Sequence, residues 1–344
     1  MSQLRLRMPF PPTSGPRSSD SEPVATPQTP TVLVLGGRGF IGRYVVRSLL
    51  QRGHRVVVGS RYAAPPSPQR PEHRRCRFQE LVSPEQWLPL LESVDAVVNC
   101  VGILRERWGE RYQAVHCQAP AALASACAAQ GIRLLHVSAL GLRADAGSGF
   151  IRSKLAGEQA LLATAADLVI VRPSLLDGRD GFGARWLRML ARFPIYLLPA
   201  SSAGRLACMC VEELGEALAR LALLSPAEVA RLAPQRMVEL GGPEDFVLAD
   251  YLHRLRGAPS ASLVIPIPHW LCRLFSHLCD LLHLTPYSFG HLELLARDNR
   301  PAENQLPAIL GRAPRAISAW NQPARQSEAP QAVIPDPAGS TENS

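Results

Sequence analysis

Lysine is almost missing from this 344-residue chain. Lys154 stands alone, and the other 36 of its 37 basic residues are arginine. Either Lys154 is a surface residue kept by chance, or it has a task that a guanidinium cannot perform. Other absences narrow the function. The eight cysteines (76, 100, 117, 127, 208, 210, 272 and 279) form no CxxC and no paired zinc-type spacing, so no metal site is expected. Several fall in apolar segments, where free cysteine behaves as a small hydrophobe, and a reduced cytoplasmic compartment is the simplest expectation. The first 30 residues are rich in Pro, Ser and Thr and lack the apolar centre of a secretory signal. A disordered extension over 1–30 and a disordered tail over 321–344 are expected. Although the net charge is +8, there is no long basic run, and aromatics make up only 6% of residues. That composition predicts a basic but unspecialised surface and no nucleic-acid partner. An anionic cofactor or membrane surface stays compatible with it.

What is present is an alternation. Short apolar runs at 31–35, 54–60, 95–102, 132–140 and 167–174 read as buried strands, with a further strand within 74–81. Helical spacing occupies 40–51, 83–93, 111–130 (bent at Pro120) and 151–164. Strands that are apolar throughout and alternate with helices predict a parallel sheet covered on both faces. The fold class is therefore α/β: a doubly wound Rossmann sheet over 31–175, with a smaller C-terminal substrate-side lobe over 176–320 completing it. A ligand belongs at the carboxyl ends of such strands.

The first strand runs into LVLGGRGFIG, where Gly36, Gly39 and Gly42 have the GxxGxxG spacing. Between a strand and a helix this spacing makes a tight turn, a close backbone approach to a pyrophosphate and a close helix packing. NAD binders usually place an acid about 20 residues later to hold the ribose hydroxyls. Here the second strand ends in Ser60-Arg61, and from Gly36 to Pro71 there is no acid but there are seven arginines. Arg61 and Arg38 would grip an adenosine 2′-phosphate, so NADP(H) is expected over NAD.

These pieces, with Asn99 and Gly102 after the fourth strand, HVSAL in the fifth, Phe150 four residues before Lys154, and Arg172-Pro173-Ser174 at the end of the sixth, resemble the extended short-chain dehydrogenase/reductase (NAD-dependent epimerase/dehydratase) superfamily over about 32–320. In that superfamily a Tyr-x-x-x-Lys pair works at the active site. The lysine binds the nicotinamide ribose and lowers the tyrosine pKa. The resemblance implies a cofactor set of Gly36, Gly37, Arg38, Gly39, Phe40, Ile41, Gly42, Ser60, Arg61, Asn99, Val101, Gly102, Ser138, Lys154 and Pro173. It also implies a deficit. Phe150 stands at the tyrosine position and Ala139 where a Ser or Thr polarises the substrate, so no catalytic residue is assigned. HVSALG, FIRSKLAGE, VRPSLLDGRD and LVIPIPHWLCRLF are most similar to the atypical group around the alpha-subunit-9 accessory subunit of respiratory complex I. There the nucleotide is a structural element, and some bacterial relatives are associated with quinone metabolism.

Three functions follow: a protein holding NADP(H) in a structural or accessory role; a reductase or epimerase with another proton donor, such as water, Asp177, Arg185 or Tyr196; and a regulator sensing the NADP/NADPH ratio. Trp270, Leu271, Leu274, Phe275, Leu278, Leu281 and Leu282 recur at helical spacing. Arg273, His277, Asp280 and His283 interrupt them and exclude a standard membrane span. This stripe is expected to be buried in its own lobe; the alternative is that 268–284 dock on a protein complex or a membrane surface, peripheral on its inner face.

Overall fold

The computed structural model describes residues 29–62, 71–178, 181–257, 262–282 and 287–317. The expected extension up to residue 28, the tail and His283 lie outside the described residues. The apolar runs become the strands β1 (Thr31–Leu35), β2 (Arg55–Ser60), β3 (Glu72–Arg75), β4 (Ala96–Asn99), β5 (Arg133–Val137) and β6 (Leu168–Pro173). Between them lie α1 (Gly42–Gln51), α2 (Pro84–Trp87), α3 (Ala119–Gln130) and α4 (Gly149–Leu162). The lobe adds β7 (Leu176–Asp177), α5 (Phe182–Ala191), β8 (Ile195–Pro199), β9 (Met209–Cys210), α6 (Val211–Leu221), α7 (Pro226–Leu232) and β10 (Met237–Leu240). The chain continues through α8 (Leu248–Arg256), β11 (Leu263–Ile267), α9 (His269–Leu282), α10 (Phe289–Leu295) and α11 (Leu306–Leu310).

Seven strands form one parallel sheet in the order β10-β6-β5-β4-β1-β2-β3. The order reverses at β1, where β2 pairs on one side and β4 on the other, so the crevice for a ligand opens at the carboxyl ends of β1 and β4. Successive residues of β1 point to opposite faces. Val32 and Val34 enter one core layer with Val56, Val98 and α6. Leu33 and Leu35 enter the other with Val57, Val97 and α3. Burial on both faces explains why these strands are apolar throughout instead of alternating. A third cluster around Tyr196, Leu206, Phe246 and Tyr251 forms the interior of the lobe. The chain returns from the lobe to the main sheet, where β10 pairs with β6 from Met237↔Ile170 to Leu240↔Pro173.

Some expectations need correction. The third strand lies earlier than 74–81, because Cys76 and Phe78 turn into the core and only Glu72–Arg75 pair with β2. The helix expected over 83–93 is short: a capping box at Ser83 starts it, and a 3-10 turn at Leu88–Leu90 containing Pro89 follows Trp87. The irregularity near Pro120 is a wide π turn over Gln113–Gln118, which ends two residues before the proline, a residue with no N–H to return. Helix α4 lies against this turn with almost no gap. A Cβ on Gly157 would meet the His116 carbonyl oxygen at 1.9 Å, so only glycine lets the two backbones approach this closely.

Helix α9 overturns the expectation of a buried stripe. It rests on the lobe through Cys272, Ser276 and Cys279, while Trp270, Leu271, Leu274, Phe275, Leu278, Leu281 and Leu282 are exposed. Small side chains on the inner side let the helix sit close, and its large apolar side chains fall on the side away from the core.

Candidate functional site

The turn after β1 is held by backbone contacts that need glycine. Gly36 has φ +72° and donates its N–H to the Gly59 carbonyl at 2.8 Å. A Cβ on Gly42 would lie 2.2 Å from the Gly36 oxygen, so the start of α1 folds flat against the turn. No side chain caps α1, and its first turn contains no acid. This helix end therefore suits an anion.

The turn opens on a cavity of about 1360 Å³ that runs over the sheet tips into the lobe. Of the expected cofactor residues, Gly36, Arg38, Gly39, Phe40, Ile41, Ser60, Arg61, Val101, Gly102, Ser138, Lys154 and Pro173 line it. Gly37, Gly42 and Asn99 do not. Gly37 and Gly42 lie beneath the turn, where the close approaches to Val34 and Gly36 occur. Asn99 is fully buried. Its Oδ1 accepts from the Val101 N–H at 3.0 Å and its Nδ2 donates to His136 Nδ1 at 3.1 Å. It fixes the loop that carries Val101 and Gly102 without reaching the cavity itself.

At the end where β2 stops, Arg38, Arg61 and Arg107 line the wall. Arg61 donates to Glu110 Oε1 at 2.5 Å. Glu110 was not legible from the local charge pattern, because it lies 49 residues after Arg61 and outside the acid-free stretch. It supplies the counter-charge that the turn region lacks.

Lys154 and Phe150 are one turn apart on α4, and both face the cavity. Lys154 Nζ donates to the Val137 carbonyl at 3.3 Å. Burial pulls its pKa down to about 8, against the opposing pull of Glu158. Glu158 is itself held by Arg172, whose Nε donates to it at 2.9 Å. Ser138 Oγ is buried on the same wall without a hydrogen-bond partner, a donor and acceptor that a ligand would satisfy. Ala139 also lines the cavity and offers nothing polar.

Phe150 packs edge-on against His116, with ring centroids 5.9 Å apart. His116 Nε2 accepts the Ile103 N–H at 3.1 Å, and Nδ1 lies 2.8 Å from Ser153 Oγ. The first contact makes Nε2 the acceptor, so Nδ1 carries the proton. Burial holds this imidazole neutral down to about 2, and His136 down to about 3. Both therefore serve to position the Val101–Ile103 loop.

The proton donors expected from the later lobe do not reach the site, since Asp177, Arg185 and Tyr196 are absent from the cavity wall. Asp177 is buried with Arg188 at 2.7 Å, and Tyr196 OH donates to the Ala191 carbonyl at 3.1 Å. Sequence reasoning missed His291, which does line the wall. It follows Gly290, where a Cβ would meet the Phe150 ring at 3.2 Å. Burial lowers its pKa to about 4. No local motif announces it.

The glycine cradle, the uncapped helix start, the orphaned Ser138 hydroxyl and the Lys154 ammonium fit a nicotinamide dinucleotide. Residues 32–193 match the NAD dependent epimerase/dehydratase family. This part of the chain is similar to that family. That likeness supports a nicotinamide dinucleotide as the cofactor. The chain is 30% identical over 194 residues to a ceramide reductase of Caulobacter vibrioides, covering 55% of this chain and 60% of that protein. It is 29% identical over 206 residues to the mouse mitochondrial NADH dehydrogenase [ubiquinone] 1 alpha subcomplex subunit 9, covering 55% of this chain and 50% of that protein. The matches thus span only half to three-fifths of these relatives. Among solved structures, MoeE5 in complex with UDP-glucuronic acid and NAD superposes with a TM-score of 0.56 at 18% identity, covering 83% of this chain and 94% of that chain. At that identity the likeness concerns the fold.

Proposed function

We propose that this protein binds NADP(H) and holds it chiefly as a structural or accessory element, without the tyrosine-based proton transfer. The observation that carries this reading is the Phe150 ring on the cavity wall one turn before Lys154. A wall otherwise equipped for a dinucleotide has a hydrocarbon where the acid belongs. The turn amides over 36–42 hold the pyrophosphate, and Lys154 and Ser138 hold the nicotinamide half. Arg38 and Arg61 hold the 2′-phosphate, for which Arg61 exchanges Glu110. When bound, the nucleotide supplies hydride exchange, and the chain's own contribution is grip and orientation. The likeness to the mouse alpha-subcomplex subunit favours a place in a respiratory complex or in quinone-related metabolism. Mass spectrometry of nucleotide released from purified protein tests this, with NADP(H) in near-stoichiometric amount as the expected result. Phe150→Tyr should create or raise a reductase activity. Fast wild-type turnover that Phe150→Tyr leaves unchanged would sink the accessory reading.

A second reading has its own support. The cavity exceeds the roughly 300–1,000 Å³ of a usual ligand pocket and continues past Phe150 between the apolar side chains of α5, α9 and β8. We infer from this space, and from the likeness to a ceramide reductase, a reductase acting on an apolar substrate. Lys154, brought to about 8 by burial, is then the proton donor, well matched to neutral pH. Its signature is a single-turnover rate that falls as pH rises through about 8 and is abolished by Lys154→Met; a flat profile rules Lys154 out.

A further inference from the structure

We propose that the lobe docks on a lipid bilayer through the outer face of α9 and the β8–β11 edge, and that the cavity opens into that bilayer to receive the apolar part of an amphiphilic lipid. The first ground is the exposed surface. Trp270 is 68% exposed, Leu274 63% and Leu281 75% on α9, with Leu197 65% on β8 and Leu263 60% on β11. These elements are joined, since β11 pairs in parallel with β8 and runs directly into α9. A surface with this many large apolar side chains on adjoining elements is a contact surface.

The second ground decides what covers it. Phe182, Leu197, Leu271 and Phe275 are exposed on this surface and also line the cavity. The mouth of the cavity therefore opens within the apolar face. A protein partner seated there would plug the mouth, whereas a bilayer would supply the cavity with acyl chains. Charge agrees with the bilayer. Residues 181–199 and 262–282 contain four arginines, of which Arg188 is paired inward with Asp177, and a single acid, Asp280. That acid is already engaged inward, accepting from Arg105 Nε at 2.6 Å and the Phe289 N–H at 3.0 Å. Arg185 and Arg192 are exposed on α5 and at its end, at helical spacing with the exposed Phe182 and Met189, placed to meet anionic headgroups. With 14 residues, α9 is about 21 Å long, too short to cross a hydrocarbon core and suited to lying in the interface. No described helix is long and apolar enough to span a membrane.

Docking is independent of the nucleotide; the use of the cavity rests on the second reading above. The test is co-sedimentation of the full-length protein with phosphatidylcholine vesicles, with and without phosphatidylglycerol. The protein should partition onto both, more strongly with phosphatidylglycerol, and Trp270 emission should shift to the blue. Leu274→Gln combined with Leu281→Gln should lower partitioning about tenfold or more, equivalent to at least 1.4 kcal/mol, without changing the melting temperature. Arg185→Gln with Arg192→Gln should remove only the gain from phosphatidylglycerol. Absence of partitioning, or partitioning unaffected by the leucine substitutions, overturns docking. So does a dimer that these substitutions convert to monomer, since the face would then belong to a second copy. Brominated acyl chains should quench Trp186, on the cavity wall, as well as Trp270. Quenching that Trp186→Phe leaves unchanged and Trp270→Phe removes overturns lipid entry. Loss of nucleotide binding with vesicle binding intact would strike at the cofactor reading alone.

Discussion

Helices α6 and α9 carry apolar residues at the same helical spacing but place them oppositely. Helix α6 turns Leu214, Leu218 and Leu221 into the core against the sheet. Helix α9 turns Cys272, Ser276 and Cys279 inward and keeps its leucines, Trp270 and Phe275 outside. A stripe in a sequence thus identifies a face that avoids water, and says nothing of what covers it. The same contrast separates the two halves of the cavity. Its nucleotide half is lined by backbone amides and arginines, and its far half by side chains shared with an exposed apolar surface.

The sharpest way to break this comparison is to remove the same residue type from both helices. Leu218→Ala should cost about 2–5 kcal/mol, as in other cores that cannot collapse around the loss. Denaturant unfolding measures it, and a cost below 1 kcal/mol would deny α6 its place. Leu278→Ala, on the exposed side of α9, should stay within about 0.5 kcal/mol in the same assay; a core-sized loss would mean that the helix is covered.

Acid should act on the nucleotide half. His116, His136 and His291 have folded pKa values lowered by burial to about 2, about 3 and about 4, against about 6.5 in the unfolded chain. The unfolded chain therefore takes up protons first. Stability is fully present above about 6.5 and is lost as pH falls towards the folded values, by roughly 1.4 kcal/mol per pH unit for each histidine. Melting temperature against pH, with His116→Gln blunting the slope, checks the sign. Lys154 acts at the other end. Its cost to folding is relieved as pH rises from about 8 towards its ordinary value, while nucleotide affinity should fall over the same rise because the ammonium is discharged.

Smaller still is the choice between cofactors. Arg61→Asp should weaken NADP(H) about tenfold or more, as expected for one charge-assisted phosphate contact, and leave NAD nearly unchanged. Glu110→Gln should strengthen NADP(H) by freeing Arg61. Isothermal titration with both nucleotides decides this, and equal losses for both would refute the 2′-phosphate assignment.

The alternating apolar runs and the glycine spacing made the sheet and its crevice legible, because burial on both faces and a tight backbone turn restrict residue type strongly and locally. The lone lysine and Phe150 were legible through a fixed spacing on one helix, and Ala139 through its place just after the fifth strand. Glu110, His291 and Arg105 were not. They arrive from loops and helices far along the chain, and no rule of spacing links them to the residues they touch. Asn99 was placed in the cofactor set by its motif, yet the fold turned its amide inward to hold the loop beside it.

By itself, then, the sequence determined the parallel sheet, the glycine turn and a hydrocarbon ring at position 150, since each depends on hydrophobic period, glycine sterics or the identity of one side chain. Tertiary structure alone decided which side of α9 meets the core, that Arg61 already has a carboxylate partner, and that the cavity mouth opens on an apolar surface. Those outcomes depend on which distant segments come to lie within a few ångströms of one another, and chain order does not encode such proximity locally.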